Sequence, residues 1–392
     1  LIEDSMYMLI LHEIGHTLGL THNMRASQLQ PDVFDEVAVA ATGLSGSVMD
    51  YEAVNVAPPG QAQTPFYQNR PGLYDHWAIE YGYAPSLAEK AAEQERLQTL
   101  LARSKEPELV YGNDADDMRR PGRGIDPHIN IYDHSGDAVG YAEQRLQLVR
   151  AMRTDLLKNY QGETYQALYN SHVLLMNQLS RSGGVASRYV GGVHINRTPP
   201  QASVVPPYQP VSARQQRRAM KVLATYIFAP DALGGSESVF QHLQQQRRGF
   251  DFYDEPEDPK LHAMMLSVQK RILDHLLHSR TLQRISDSQL YGNDYELTQM
   301  LDELTGAIFD ADMRGSVNSV RQNLQVEYVE RLVSIWRGKK SKNISHLARS
   351  VVFAQLEQLA KQLKAKRRTN AGTKAHRRHL QFIVERALSV NA

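Results

Sequence analysis

Three histidines and a glutamate near the start of the chain have the types and spacing of a metal site. Residues 12–22 read HEIGHTLGLTH, which places His12 and His16 four residues apart. Side chains four apart project from one face of an α-helix, so both imidazoles can bind one ion. Gly19 permits a sharp turn that brings His22 back as a third ligand. Three protein ligands leave one position for water, which is the arrangement of a catalytic zinc site.

Glu13 directly follows His12 and is placed to reach a water at the metal, but not to bind the metal itself. The pattern H-E-x-x-H-x-x-G-x-x-H therefore predicts one Zn²⁺ per chain and hydrolysis by a zinc-activated water, with Glu13 as general base. The alternative is a helix whose histidines only face water.

A second short motif follows in residues 47–51, which read SVMDY with Met49 at the centre. The two motifs together resemble the metzincin clan of zinc peptidases, in which a methionine-bearing turn lies beneath the metal. The S-x-M-x-Y form of the turn is similar to that of the astacin and serralysin families. The resemblance implies that Met49 forms an apolar floor under the zinc. It also implies that Tyr51 approaches the metal and hydrogen-bonds the reacting carbonyl.

The longer context, HEIGHTLGLTHN to SVMDY to GLYDHWAIEYGY, resembles the C-terminal, Met-zincin part of large bacterial zinc-dependent metalloproteases. This likeness implies an endopeptidase acting on peptide or protein substrates. The implied fold is mainly α: the C-terminal half of a metzincin catalytic domain, followed by a large helical domain. The likeness also favours a periplasmic or extracellular location.

A metzincin places a twisted sheet before its active-site helix, and the edge strand of that sheet binds the substrate backbone. Only eleven residues precede His12. We therefore expect this chain to be the C-terminal part of a longer protein, with the preceding part as a partner. Substrate binding and activity are therefore expected to depend on that preceding part.

Hydrophobic spacing places the site on an amphipathic helix over residues 1–20. An apolar stripe recurs every four residues, at Met6, Ile10, Ile14 and Leu18. The histidines lie on the opposite face, so the stripe is predicted to pack into a core. Residues 21–46 are expected to form a loop around the metal, and 73–83 a short aromatic helix under the methionine turn.

The rest of the chain is predicted to be mostly helical. We expect a catalytic part at 1–85 and a helical region at 86–392, with a break near 196–211 into two subdomains. Helical spacing is found at 86–104, 137–160, 163–181, 212–228, 259–278, 317–336 and 344–367. The stripe Leu261, Met265, Val268, Ile272 and Leu276 is interpreted as core. Strand character is confined to 187–195.

Composition excludes several function classes. The chain has 392 residues, 42% hydrophobic residues and a net charge of +1, which is ordinary for a globular protein of two or three domains. It has no cysteine, so thiol nucleophiles and thiolate zinc sites are excluded. No apolar run reaches the length of a membrane span.

Other titratable residues form weaker candidates. Five residues in one loop could hold a second cation such as Ca²⁺, but a capped, solvated turn is the preferred interpretation: Asp126, His128, Asp133, His134 and Asp137. The same interpretation applies to Asp114, Asp116 and Asp117. The isolated His76, His172 and His194 are interpreted as structural, and His262, His275 and His278 lack a nearby third partner.

The C-terminal segment from Arg337 to Arg378 carries thirteen Lys or Arg residues and one acid, Glu357. This charge leaves open a module that binds nucleic acid or an anionic surface. A solvated basic helix face is the preferred reading, because Phe353 is the one aromatic residue there. The other alternative to an enzyme is a non-catalytic helical scaffold from a larger protease.

Overall fold

The chain is described by a computed structural model that covers residues 1–116, 120–162, 164–201, 204–233, 237–246, 257–338, 344–365 and 368–389. The described chain is mainly helical, as predicted. It forms two compact units, one of residues 1–144 and 193–209, the other of 145–192 and 210–392. The expected division at residue 85 lies inside the first unit, and as the end of a catalytic part it stays a prediction.

The first unit combines helices with long irregular segments. Its helices are α1 (Ile2–Thr17), α2 (Glu36–Thr42), α3 (Leu73–Tyr83), α4 (Lys90–Ala102) and the first turns of α5 (Ala138–Thr154). Strand β1 (Val193–Ile195) pairs with β2 (Tyr208–Pro210). The helix predicted over 73–83 is confirmed. Helix α2 was missed inside the predicted loop, although Asp35 caps it through the Val37 and Ala38 amides.

The second unit is a packed set of helices. They are α6 (Leu156–Asn159), α7 (Tyr165–Tyr189), α8 (Ala213–Leu223), α9 (Glu237–Phe240), α10 (Leu261–Leu276), α11 (Ser279–Ser288), α12 (Leu297–Phe309), α13 (Ser319–Arg337), α14 (His346–Leu363) and α15 (Ala371–Leu388). A π-helical turn, Ala224–Phe228, continues α8. Among the described helices, none has the length and apolar character needed to span a bilayer.

Helix α10 and the end of α7 were each the subject of a local prediction. Four of the five stripe residues on α10 are core, since Met265, Val268, Ile272 and Leu276 are at most 4% exposed, whereas Leu261 at the start of the helix is only partly buried. The strand predicted over 187–195 is wrong at its start, because α7 continues to Tyr189. Gly191 then adopts a φ of +69°, and the extended segment begins only at Val193.

The predicted burial of the α1 stripe is also wrong for the described chain. Met6, Ile10, Ile14 and Leu18 are between 39% and 50% exposed. The opposite face of the helix carries His12, which is 3% exposed. Helix α1 therefore packs through the side that carries His12 and Gly15, and no described segment covers its apolar face.

Helix α3 holds the methionine turn through one buried carboxylate. Asp75, in the first turn of α3, accepts hydrogen bonds from the Ser47 hydroxyl at 2.5 Å and the Val48 amide at 2.9 Å. It also accepts from the Gly72 amide at 2.8 Å, which caps its own helix. A Cβ on Gly72 would lie 2.2 Å from Gly46, so the two segments touch backbone to backbone.

Three more carboxylates are buried beside the methionine turn. Asp50 accepts from the Ser27 amide at 2.8 Å, and Asp133 accepts from the Ser27 hydroxyl at 3.0 Å. Glu52 accepts from the Gln68 amide at 2.5 Å, and its other oxygen lies 3.6 Å from His134. Burial raises the pKa of Asp50 to about 7 and, together with the charge of Asp50, that of Glu52 to about 8.

Substitution of Asp75 tests its hold on the turn. Asp75→Ala leaves the buried amides of Val48 and Gly72 without an acceptor, so we expect the free energy of unfolding to fall by about 3 kcal/mol. Asp35→Ala, at the exposed cap of α2, is the matched control and should cost about 1 kcal/mol. Urea denaturation measures both. Equal losses would show that Asp75 is only a helix cap.

Substitution of Glu52 tests the buried acids. The raised folded-state pKa means that folding retains a proton that the unfolded chain loses above about pH 4. The contribution of Glu52 to stability should therefore be greatest at acid pH and decrease as pH rises to about 8, by up to about 1.4 kcal/mol per pH unit. Glu52→Gln keeps the acceptor for Gln68 and should remove this contribution from the pH dependence. Urea denaturation from pH 5 to 8 tests this, with exposed Glu36→Gln as control; equal slopes in all three proteins would refute it.

Candidate metal centre

The turn after α1 is a helix cap that requires glycine. The Gly19 amide donates to the His16 carbonyl and the Leu20 amide donates to the Gly15 carbonyl, both at 3.0 Å. This pair of bonds is the Schellman arrangement, which needs a left-handed residue at its centre. Gly19 has a φ of +86°. The predicted role of Gly19 as a sharp turn is thus a helix-capping requirement.

The three histidines of the motif converge. One ring nitrogen from each of His12, His16 and His22 lies within 4.8 Å of the other two. The ring centroids are 4.8–5.3 Å apart. Glu13 follows on the same helix and is exposed. About 100° of helix rotation separates it from His12 and about 60° from His16, so it borders the cluster.

Each of the three imidazoles is held through Nδ1. His12 Nδ1 donates to the Val48 carbonyl at 2.8 Å, and His16 Nδ1 donates to the Leu20 carbonyl at 3.0 Å. His22 Nδ1 hydrogen-bonds the carboxylate of Asp114. Carbonyl and carboxylate oxygens only accept, so they select the tautomer with hydrogen on Nδ1. That tautomer leaves the Nε2 lone pairs for another partner.

The Nε2 atoms of His12 and His22 have no such partner among the described residues. Both atoms are buried and make no hydrogen bond there. Burial is the main cause that lowers the pKa of His12, followed among the lowering causes by the neighbouring His16 and His22. A buried neutral imidazole with a free lone pair is what a metal ligand requires.

Met49 packs directly against helix α1. It is fully buried, and a Cβ built on Gly15 would lie 2.3 Å from its sulfur. The Met49 carbonyl accepts from the Asn23 amide at 3.0 Å. The methionine turn thus contacts α1 through the Met49 side chain, and it contacts the segment after His22 through the Met49 carbonyl. Gly15 was not singled out from the sequence, although it lies inside the motif.

Tyr51 lies beside two of the histidines. Its ring centroid is 5.1 Å from that of His12 and 4.7 Å from that of His22. The side chain is 36% exposed, so its ring borders the open side of the cluster. The two residues before it in the turn point elsewhere, since Met49 is buried and Asp50 bonds Ser27.

Asp114 is the residue of this site that sequence reasoning interpreted differently. The predicted role is a solvated turn shared with Asp116 and Asp117. In the structure, the carboxylate of Asp114 instead accepts a hydrogen bond from His22. Asp116 pairs with Arg197, and Asp117 lies outside the described residues. The contact joins residues 92 apart in sequence. No spacing rule could have found it.

A second cluster combines Asp126, His128 and His194, with ligand atoms within 4.8 Å of one another. Asp126 is buried, and its carboxylate pairs with Arg25 at 3.1 Å and accepts from the Ile195 amide at 3.0 Å. It also accepts from His194 Nδ1 at 3.2 Å. Burial opposes ionisation of Asp126, but the bond from His194 and the charge of Arg25 outweigh it and lower the pKa. This carboxylate acts as a junction between the loop and β1.

The remaining residues of the predicted second-cation loop do not converge with Asp126. Asp133 and His134 lie in the buried carboxylate set beside the methionine turn. Asp137 instead caps the start of α5 through the Gly140 amide at 3.1 Å. Asp126, Asp133 and His134 are buried, so the predicted solvated turn is wrong for them. Asp137 is exposed and caps a helix, as that prediction described.

The other candidate histidines are not part of the three-histidine cluster. His76 is exposed on α3 and His172 is buried in α7, where burial lowers its pKa to about 4. His262 bonds Ser319 at 2.7 Å, and His278 caps α11. His275 is buried in α10, and burial lowers its pKa well below the usual range.

Within the basic C-terminal segment, residues 339–343 and 366–367 lie outside the described residues. Of the others, Arg337 donates to the Arg386 carbonyl at 2.7 Å. Arg377 donates to the Asp312 carbonyl at 2.8 Å, and Lys364 pairs with Glu385 at 3.3 Å. These three cations are used inside the helical unit.

Comparison with known proteins gives a family. Residues 1–315 match the Met-zincin family. No curated protein matches the chain, and no solved structure does. The matched segment includes all three histidines, the methionine turn and Asp114. The family implies zinc binding and a metallopeptidase-like function, and the clustered histidines agree with it. The chain belongs to the Met-zincin family.

Proposed function

We propose that the protein is a zinc-dependent endopeptidase whose metal is held by His12, His16 and His22. The observation that carries the proposal is the pair of buried Nε2 atoms of His12 and His22, which lack a hydrogen-bond partner among the described residues. A buried polar atom left without a partner costs about 1–3 kcal/mol. Two such atoms facing a third imidazole make a donor set suited to zinc.

When bound, zinc supplies Lewis-acid chemistry that polarises a carbonyl and acidifies water. Glu13 is proposed to take the proton from the attacking water and return it to the leaving amine nitrogen. Its exposed position beside His16 supports this role, because the carboxylate must be reached by water and substrate. The three histidines stay neutral and hold no transferred proton.

Tyr51 is proposed to donate a hydrogen bond to the oxygen of the carbonyl under attack. Its ring lies against His12 and His22 on the open side of the cluster, which supports this role. Met49 is proposed as the apolar floor, because its sulfur packs against Gly15. Gly19 holds the turn that places His22.

The preceding part of a longer protein is the proposed partner of α1. The exposed apolar face of α1 supports this, because Met6, Ile10 and Ile14 would be shielded from water by a packed sheet. The same face is the observation that favours the second candidate function, a helical scaffold that docks to a partner without catalysis. Export stays a prediction from the family likeness.

Metal content tests the ligand set. We expect about one zinc per chain in the wild-type protein after dialysis, and almost none in His16→Ala. His76→Ala, an exposed histidine outside the cluster, should retain the wild-type zinc. Mass spectrometry of the purified proteins measures all three. Zinc retained by His16→Ala would contradict the assignment of this ligand.

Cleavage of casein tests the base. In the intact protein, Glu13→Gln should retain zinc and lose activity by about 10³-fold, because it keeps its shape but cannot accept the proton. Glu3→Gln, on the same helix and exposed, should cleave as wild type does. A chelator should abolish cleavage in both active proteins. Full activity in Glu13→Gln would rule out the proposed base, and an inactive wild type would favour the scaffold.

A further inference from the structure

The third ligand is held by a downstream segment, residues 110–114, that packs against the turn after α1. The Met24 amide donates to the Gly112 carbonyl at 2.7 Å, and the Gly112 amide donates to the Asn23 side-chain oxygen at 3.1 Å. The Asn23 side-chain nitrogen donates to the Val110 carbonyl at 3.4 Å. These bonds align the two segments at the two residues that directly follow His22.

Side-chain hydrogen bonds also hold the start of the next turn, Asp114–Asp116. The Ala115 amide donates to the Asn113 side-chain oxygen at 2.9 Å, and the Asn113 amide donates to Asp116 at 3.1 Å. Asp116 also pairs with Arg197. Asp114 therefore projects from a braced 3₁₀ turn, Asp114–Asp116, and its carboxylate meets His22 Nδ1.

Asp114 differs from the acceptors on the other two ligands. His12 and His16 bond neutral backbone carbonyls, whereas His22 bonds a charged carboxylate. A carboxylate can only accept, so it places the imidazole hydrogen on Nδ1 and the lone pair on Nε2. Its charge also increases the basicity of that lone pair, which strengthens a bond to a cation.

We propose that Asp114 is a positioning residue that fixes the Nδ1–H tautomer of His22 and raises the affinity of the site for zinc. The proposal rests on the proposed function, because its benefit is metal binding. Without the carboxylate, His22 would exchange between two tautomers, one of which presents a hydrogen to the metal instead of a lone pair. The side chain of Asp114 is 51% exposed, so water partly screens its charge.

The first test uses the metal-free intact protein. Nitrogen-15 NMR of labelled histidine reports which ring nitrogen carries hydrogen, at a pH where His22 is neutral. We expect His22 to be mostly Nδ1–H in the wild type and a mixture of tautomers in Asp114→Ala. Glu108→Gln, which removes an exposed carboxylate six residues before Asp114, should leave His22 as in the wild type. An unchanged tautomer in Asp114→Ala overturns the proposal.

The second test measures zinc affinity by competition with a chromophoric chelator. Asp114→Asn keeps the shape but removes the charge, and should weaken zinc binding by about tenfold, at the low end of outer-shell effects because of the exposure. Asp114→Glu should recover part of the loss, and the control Glu108→Gln should lose none. Wild-type affinity in Asp114→Asn overturns the proposal, even where the tautomer changes.

The two ideas fail separately. A wild-type protein that binds no zinc contradicts the proposed function, while the tautomer measurement still decides the role of Asp114. If Asp114→Asn binds zinc as tightly as the wild type does, the proposed zinc site is upheld, but Asp114 does not contribute to its affinity. Equal melting temperatures of the metal-free variants show that the affinity change is not a loss of folding.

Discussion

The proposed metal centre depends on the hydrogen bonds made at Nδ1 of its three histidines. The acceptor of each bond comes from a different part of the first unit: the methionine turn, the turn after α1, and Asp114. An imidazole offers one lone pair and one hydrogen when neutral, so an acceptor at one nitrogen decides what the other presents. The elements of the first unit that position these acceptors therefore also orient the three imidazoles.

The methionine turn shows how far that dependence reaches. Its Val48 carbonyl orients His12, and its Met49 side chain contacts Gly15 one turn further along the same helix. The turn is itself held by Asp75, which is buried at the start of α3. Helix α3 therefore contacts the methionine turn, and the turn in its own right contacts α1. Because Asp75 is buried, the pKa of its carboxyl group is raised.

The buried acids beside the turn have a similar origin. Asp50 and Asp133 both use Ser27 to bind two loops together, and Glu52 binds the Gln68 amide. These irregular segments have backbone groups that neither helix nor sheet satisfies, so buried carboxylates serve as acceptors. The resulting unit contains few regular elements but many specific polar contacts, which suits a site that needs several loops to meet.

Local patterns in the sequence were sufficient for the motif. The spacing of His12 and His16, the glycine at position 19 and the helix at 73–83 follow from helix geometry and capping, which act within a few residues. The apolar periodicity of α10 likewise predicted its core face. Local patterns also misled: the α1 stripe has helical spacing but is exposed, since periodicity shows which residues share a face and not what covers it.

Tertiary structure alone decided the rest of the site. Asp114 and His22 are 92 residues apart, and Asp75 and Val48 are 27 apart, with nothing in either pattern to pair them. Asp126 and His194 meet over 68 residues, although they were interpreted separately. The sequence by itself determined which residues could bind the metal. The fold decided which acceptors hold them, because a hydrogen bond between distant segments depends on where the chain returns.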